Sequence, residues 1–295
     1  MVLRGRRPGA RVERLGYSTD IPQQKMANGN GGFSPNGNHL GANLAFTKFL
    51  FVILQRQDDA FLTRVRTAGG LIARGFFNDF DADGTRDVQP HETIHFLVGT
   101  AVDSGETGIA GAQYAAQVCG KYRPRLQEIE AELRRRLGDA AEVIAIDGAD
   151  RSPRYTSAEL YEYAYRRALP RQSGRIARNA FVLPLNKSID WWRKSSLDRH
   201  AYFYPHVDAT TGCPVSGHAR TADAGISTIF RRLYHNPDGY ERAGEYDFIT
   251  YFECEDAHVH TFERVCAALR DTTQNPEWQY VREGPLWRGK RVLKW

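Results

Sequence analysis

Apolar residues along this chain follow two rhythms, one for strands and one for helices. The unbroken run Phe49-Leu50-Phe51-Val52-Ile53-Leu54 predicts a buried strand over Phe46 to Gln55. From Tyr122 to Leu137 the apolar positions Leu126, Ile129, Leu133 and Leu137 recur at steps of three and four, with charged residues between them, which predicts an amphipathic helix stopped by Gly138. A strand over Ala141 to Ile146 follows, then a helix over Tyr155 to Leu169, capped by Thr156 or Ser157 and ended by Pro170. A second set opens with the strand Ala180 to Leu185, where Pro184 predicts an edge or a bulge. Ser195, Ser196 and Asp198 offer a helix start, and Tyr246 to Glu253 reads as a dense strand. Phe262, Val265, Cys266 and Leu269 mark one face of a helix, and a last strand is expected from Glu277 to Arg282, before Gly284-Pro285. Strand and helix alternating in each half predict an α+β fold, with helices against one face of an antiparallel sheet.

Composition sets the boundaries of this picture. Residues 1–42 are rich in Gly, Asn, Arg and Pro and cannot bury enough apolar surface to order themselves alone, so they read as an extension before two units, 43–177 and 178–295. A chain of 295 residues has ample length for a large core without staples. Its formal charge of +5, with both signs interspersed, is too mild to argue for nucleic acid. The four cysteines, Cys119, Cys213, Cys254 and Cys266, have neither zinc nor disulfide-framework spacing and read as reduced thiols. No apolar run is long enough for a membrane helix, and the basic start lacks an adjoining apolar segment, so a cytoplasmic protein is expected. Asp79, Asp81, Asp83 and Asp87 with Gly84 follow the spacing of a calcium loop, but its twelfth position, normally glutamate, is Pro90. An acidic turn is the simpler reading.

Candidate chemistry concentrates between Trp191 and Glu253. A tryptophan pair, Trp191-Trp192, several histidines and Arg231 within an apolar run are what a buried planar cofactor needs: flat walls, an axial nitrogen and a fixed cation. Each has a plainer reading. The tryptophans suit a core, Arg231 a charged turn, and His218 a surface loop; His235, His258 and His260 read as surface residues, with His258-x-His260 a sparse metal motif.

The order of these pieces resembles the chlorite dismutase superfamily of haem proteins. The strand motif Val182-Leu183-Pro184-Leu185-Asn186-Lys187 leads after three residues to Trp191-Trp192, and then to His218. Arg231 stands thirteen residues beyond His218, and Asp247-Phe248-Ile249-Thr250-Tyr251-Phe252-Glu253 and the ending Glu283 to Gly289 follow. The likeness covers about residues 178–291. It implies two ferredoxin-like units in one chain forming a dimeric α+β barrel, haem b in the C-terminal unit, and a ring-shaped homo-oligomer, with five subunits favoured. In that family His218 would ligate iron, Arg231 would be the catalytic cation, and Trp191, Trp192, Leu185 and Lys187 would border the cofactor. His206 is the rival ligand by its distance from the tryptophans; reading Tyr202 to Gly217 as an insertion favours His218. The implied reaction converts chlorite to chloride and dioxygen. The alternatives are a related haem enzyme acting on peroxide or a nitrogen-containing metabolite, and a non-catalytic haem-binding or sensing protein. The family's proximal histidine bonds a glutamate just after the C-terminal helix; Leu269 to Asn275 holds none, so Asp271 or Gln274 is the expected substitute. Leu183, where coproheme decarboxylases carry a tyrosine, argues against haem synthesis.

Overall fold

The computed structural model describes residues 45–55, 59–76, 92–100, 105–150 and 178–295. The expected extension, the helix over Tyr155 to Leu169 and the acidic loop Asp79 to Asp87 lie outside these residues.

Strand β1 (Ala45–Leu54) shows why its apolar run is continuous. It lies between β3 (Tyr114–Gly120) and β4 (Ala141–Asp150), antiparallel to both. Phe49 and Phe51 face one core and Leu50 and Val52 another, and all four are fully buried. With β2 (Thr93–Gly99), these strands form one half of a larger sheet.

The other half comprises β5 (Asn179–Lys187), β8 (Phe230–His235), β9 (Phe248–Cys254) and β11 (Trp287–Val292), with the short β10 (Val281–Glu283) beside β5. Strand order runs β5-β11-β2-β3-β1-β4-β8-β9, and β9 pairs back onto β5 through seven residue pairs from Asn179↔Cys254 to Leu185↔Phe248. The sheet therefore closes on itself, all antiparallel, with no exposed edge around the ring. The result is the α+β barrel of two ferredoxin-like units, four barrel strands from residues 45–150 and four from residues 179–292. Phe49, Phe51, Val182, Ile249, Tyr251 and Trp287 belong to the core cluster shared between the two halves.

Pro184 is not at an edge. β5 is flanked on both sides, and Pro184 falls where its neighbour changes from β10 to β11, across the Gly284-Pro285 break. An imide without a donor is tolerated at such an interruption, while the Pro184 carbonyl still accepts from the Gly284 N–H.

Helices α1 (Asp59–Ile72) and α2 (Arg123–Leu137) cover the N-terminal half. Leu126, Ile129, Leu133 and Leu137 of α2 are buried, and Gly138 ends it at φ +56°. Trp295 completes this layer: it is buried against Phe96 and Tyr114, and its indole N–H donates to the Leu97 and Ala115 carbonyls. The C-terminal half carries the short helices α3 (Ile189–Arg193), α4 (Ser196–Ala201) and α5 (Gly217–Ala222), then α6 (Val259–Arg270). Ser195 and Asp198 form a capping box at α4, where a helix start is expected. Within the Tyr202–Gly217 stretch, His206–Val207 (β6) and Pro214–Val215 (β7) make a small hairpin.

The strand expected over Glu277 to Arg282 is shorter. Pro276–Tyr280 is a 3-10 turn, entered through Pro276, and only Val281–Glu283 is strand. Pro at the first helical position presets the turn, which moves Glu277 off the sheet. Among the described residues no helix is long and apolar enough to cross a membrane, and no group of three His, Cys, Asp or Glu could hold a metal ion.

Candidate functional site

Between the outer face of the C-terminal strands and the helices over them lies a cavity of about 180 Å³. Period-two alternation decides what each strand contributes: Leu183, Leu185 and Lys187 from β5, Arg231 and Leu233 from β8, and Phe248, Thr250 and Phe252 from β9. The amphipathic face of α6 closes the opposite wall with Phe262, Val265, Cys266 and Leu269. Burial pushes the Cys266 thiol up to about 11, so it acts as an apolar wall.

His218 opens α5 and half-lines this cavity. Its position depends on Gly217, which holds φ +71° and leaves no room for a Cβ beside the Tyr204 carbonyl. The Gln274 carbonyl accepts from both Ser216 N–H and Gly217 N–H, which ties the turn to the segment after α6. Phe203 stacks on the imidazole with ring centroids 5.6 Å apart.

Glu277 accepts from two directions. His218 Nδ1 lies 2.8 Å from its Oε2, and Lys187 Nζ donates to its Oε1 at 2.5 Å. This corrects the expectation that Asp271 or Gln274 would partner the histidine. Asp271 is engaged in its own turn, accepting from Thr273, and Gln274 holds the backbone before His218 rather than the ring. Burial disfavours a charge on Glu277, but the charges of Lys187 and His218, with the hydrogen bonds they make, outweigh it and hold the carboxyl well below its ordinary range. An ionised carboxylate accepts a hydrogen bond from Nδ1–H, and in the neutral ring this tautomer leaves the lone pair on Nε2. Burial in turn pushes the Lys187 ammonium down, against the pull of Glu277.

The tryptophan pair divides. Trp191 is buried, lines the cavity and has Lys187 Nζ 4.2 Å from its ring centroid. Trp192 is not a cavity wall; its indole N–H donates to the Asp247 carboxylate at 3.3 Å, and its ring stacks on Tyr240. Asp247 also accepts from the Lys187 backbone N–H at 2.8 Å, so one buried carboxylate fixes the end of β5 and the tryptophan that follows.

Arg231 lies on β8, opposite Phe252 in the ladder, and faces the cavity rather than a charged turn. His206, the rival ligand, sits in the hairpin with Nδ1 2.9 Å from the Tyr204 carbonyl and is not a cavity wall. His235 is fully buried, not a surface residue, because the β8 end is covered by Tyr240 and Phe248. Arg199 and His200 of α4 line the cavity as well. The sequence marked only the start of that helix, which says nothing about which of its faces looks inward. Among the described residues that line the cavity are four cationic side chains, Lys187, Arg199, Arg231 and Arg270, of which Lys187 is paired with Glu277 and Arg270 with Glu283, the latter at 2.7 Å.

The sequence matches no family model and no curated protein. Solved structures do match. The chain has the chlorite dismutase fold. Chlorite dismutase from Candidatus Nitrospira defluvii in complex with imidazole superposes with a TM-score of 0.59 at 19% identity, covering 84% of this chain and 91% of that one. A mutant of the same enzyme in complex with cyanide gives 0.59 at 19% identity over 84% and 90%. A further mutant gives 0.58 at 18% over 84% and 91%. At such identity the backbone architecture is what is shared.

Proposed function

We propose that the protein is a haem b-dependent oxidoreductase of the chlorite dismutase type. His218 Nε2 is the iron ligand and Arg231 the catalytic cation. The observation that carries this reading is the Lys187–Glu277–His218 arrangement on one wall of a cavity in this fold: Glu277 takes the Nδ1 proton, so Nε2 is free to ligate a metal. The residues present fit the group. Leu183, Leu185, Trp191 and Phe252 provide flat apolar walls, and Arg199 and Lys187 are cations suited to haem carboxylates.

Bound haem would supply an open iron site able to take an oxygen atom from an anionic oxidant. Glu277 makes the imidazole a stronger donor to the metal by drawing on its Nδ1 proton. Arg231 would attract chlorite into the cavity and hold the oxyanion that leaves it, so that chloride and dioxygen form before escape. The apolar faces of Leu233, Phe252 and Phe262 keep bulk water from that anion. The same donor strength serves O–O cleavage, so a peroxide-using haem oxidoreductase is the second reading. A ring-shaped homo-oligomer of five subunits in the cytoplasm belongs to this proposal.

Oxygen release from chlorite by the haem-loaded protein, followed at an oxygen electrode, tests it. Wild type is expected to release dioxygen, and Arg231→Ala to lose about a hundredfold in rate while keeping its haem. Loaded protein that releases no dioxygen excludes chlorite as the substrate.

A further inference from the structure

Trp191 and Trp192 are adjacent in the chain but sit in different surroundings. Lys187 Nζ stands 4.2 Å from the Trp191 ring, and a cation held there opposes removal of an electron from the indole. The rings next to Trp191, Tyr202 at 5.6 Å and Tyr280 at 5.7 Å, share a second ammonium, that of Lys194, 5.3 and 4.9 Å from their centroids. These rings thus have ammonium groups against their faces, that of Lys187 being paired with Glu277.

Trp192 differs in each respect. Its N–H donates to the Asp247 carboxylate, and its ring lies parallel to Tyr240, with centroids 4.2 Å apart and planes 11° apart. The Tyr240 hydroxyl is 2.8 Å from Nδ1 of the buried His235. The Arg199 guanidinium stands 5.6 Å from the Trp192 ring centroid. Phe248, a cavity wall, has its ring 6.0 Å from that of Trp192, 5.2 Å from Tyr240 and 5.2 Å from His235. Asp247 accepts the Trp192 indole proton, and His235 accepts the Tyr240 hydroxyl proton when its ring is protonated on Nε2; such acceptors lower the cost of taking an electron from a phenol or an indole.

We propose that Trp192 and Tyr240 form an oxidisable pair that delivers electrons to a peroxide held in the cavity, with Tyr240 as the site of the radical and His235 as its proton acceptor. The proposal rests on the haem reading for the oxidant. In each event the Tyr240 O–H bond breaks, the proton bonds to Nδ1 of the His235 tautomer protonated on Nε2, and one electron passes through Trp192 to the cavity. Tyrosine is oxidised to the neutral phenoxyl radical. Reduction of hydrogen peroxide to two waters takes two electrons and two protons, hence two such events. A reductant of the ascorbate class restores Tyr240 after each event by giving one electron and one proton to the phenoxyl radical, and the two protons that the peroxide takes up from solvent at the cavity match the two released through His235.

Haem-loaded protein, verified by its Soret band, is mixed with hydrogen peroxide, freeze-quenched and examined by electron paramagnetic resonance. Wild type is expected to give a tyrosyl signal that is lost in Tyr240→Phe, forms more slowly in Trp192→Phe, and has a shifted low-field g value in His235→Gln. Equal signals in wild type and Tyr240→Phe, or no radical in fully loaded wild type, overturn the proposal. Where no haem is taken up, the failure belongs to the haem reading. The pair is then tested alone by flash photo-oxidation with a soluble ruthenium(II) polypyridyl complex: a phenoxyl transient that Tyr240→Phe removes supports it, and identical transients in both proteins overturn it.

Discussion

Glu277 accepts one hydrogen bond on each oxygen, from His218 and from Lys187, and this pairing makes it the most consequential single side chain of the cavity. Removing it by Glu277→Ala leaves Lys187 buried without its counter-charge, and a loss of about 3 kcal/mol in denaturant unfolding is expected. The isosteric Glu277→Gln is expected to show how the pairing depends on pH. The folded carboxyl sits below its ordinary value because Lys187 and His218 outweigh burial, so its contribution is fully present above the unfolded value, about pH 4.3, and fades as pH falls toward the folded one. The stability gap between wild type and Glu277→Gln is therefore expected to be largest near neutral pH and to shrink below about pH 4, in urea titrations across that range. A gap independent of pH contradicts the ionised carboxylate. Glu277 was hidden in the sequence because it lies beyond the turn after α6, where Pro276 forces a 3-10 turn that alternation of apolar residues does not reveal. Lys187, by contrast, was named through the family resemblance, since the expected strand stopped at Leu185; in the folded chain period two carries on from Leu183 and Leu185 to bring it to the cavity.

At the scale of elements, four of the eight barrel strands were read from the sequence, while β2, β3, β8 and β11 were not. β1, β4, β5 and β9 announce themselves by apolar runs, and α2 and α6 by a three-and-four repeat that the folded chain buries. The five- and six-residue helices α3, α4 and α5 are too brief to carry a period, so the sequence could not say that Trp191 turns inward and Trp192 away, or that Arg199 reaches the cavity. The His218 turn shows what such a short element relies on. Gly217→Ala places a Cβ against the Tyr204 carbonyl at a positive φ, and a loss of about 1–3 kcal/mol is expected, measured by thermal unfolding. Because His218 is the next residue, the same variant is expected to bind haem in reduced stoichiometry. Full stability and full haem binding would mean that the turn relaxes freely.

Over the whole molecule, the two halves of the barrel use the same layers differently. The layer outside the N-terminal strands is filled, with Trp295 packed on Phe96 and Tyr114, whereas the corresponding layer of the C-terminal half encloses the cavity. The halves meet along β2–β11, with four residue pairs, and along β4–β8, with Ala149↔His235 alone, so the second seam leans on side-chain packing across the interior. Nothing in a strand's own pattern specifies which partner lies across a seam, and the closed ring was legible only through the family resemblance. Trp295→Ala removes a buried ring and both of its hydrogen bonds, and a cost of about 3–5 kcal/mol is expected by urea denaturation, with the cavity residues left in place. An effect below about 1 kcal/mol would show that Trp295 does not close the N-terminal layer.

The most direct test of the site is optical. Haem titrated into the purified protein is expected to give a saturating Soret band at one haem per chain in wild type and in His206→Ala, and to lose that band in His218→Ala. A protein that develops no Soret band, or one whose band survives His218→Ala and disappears in His206→Ala, contradicts the assignment of His218 as the iron ligand.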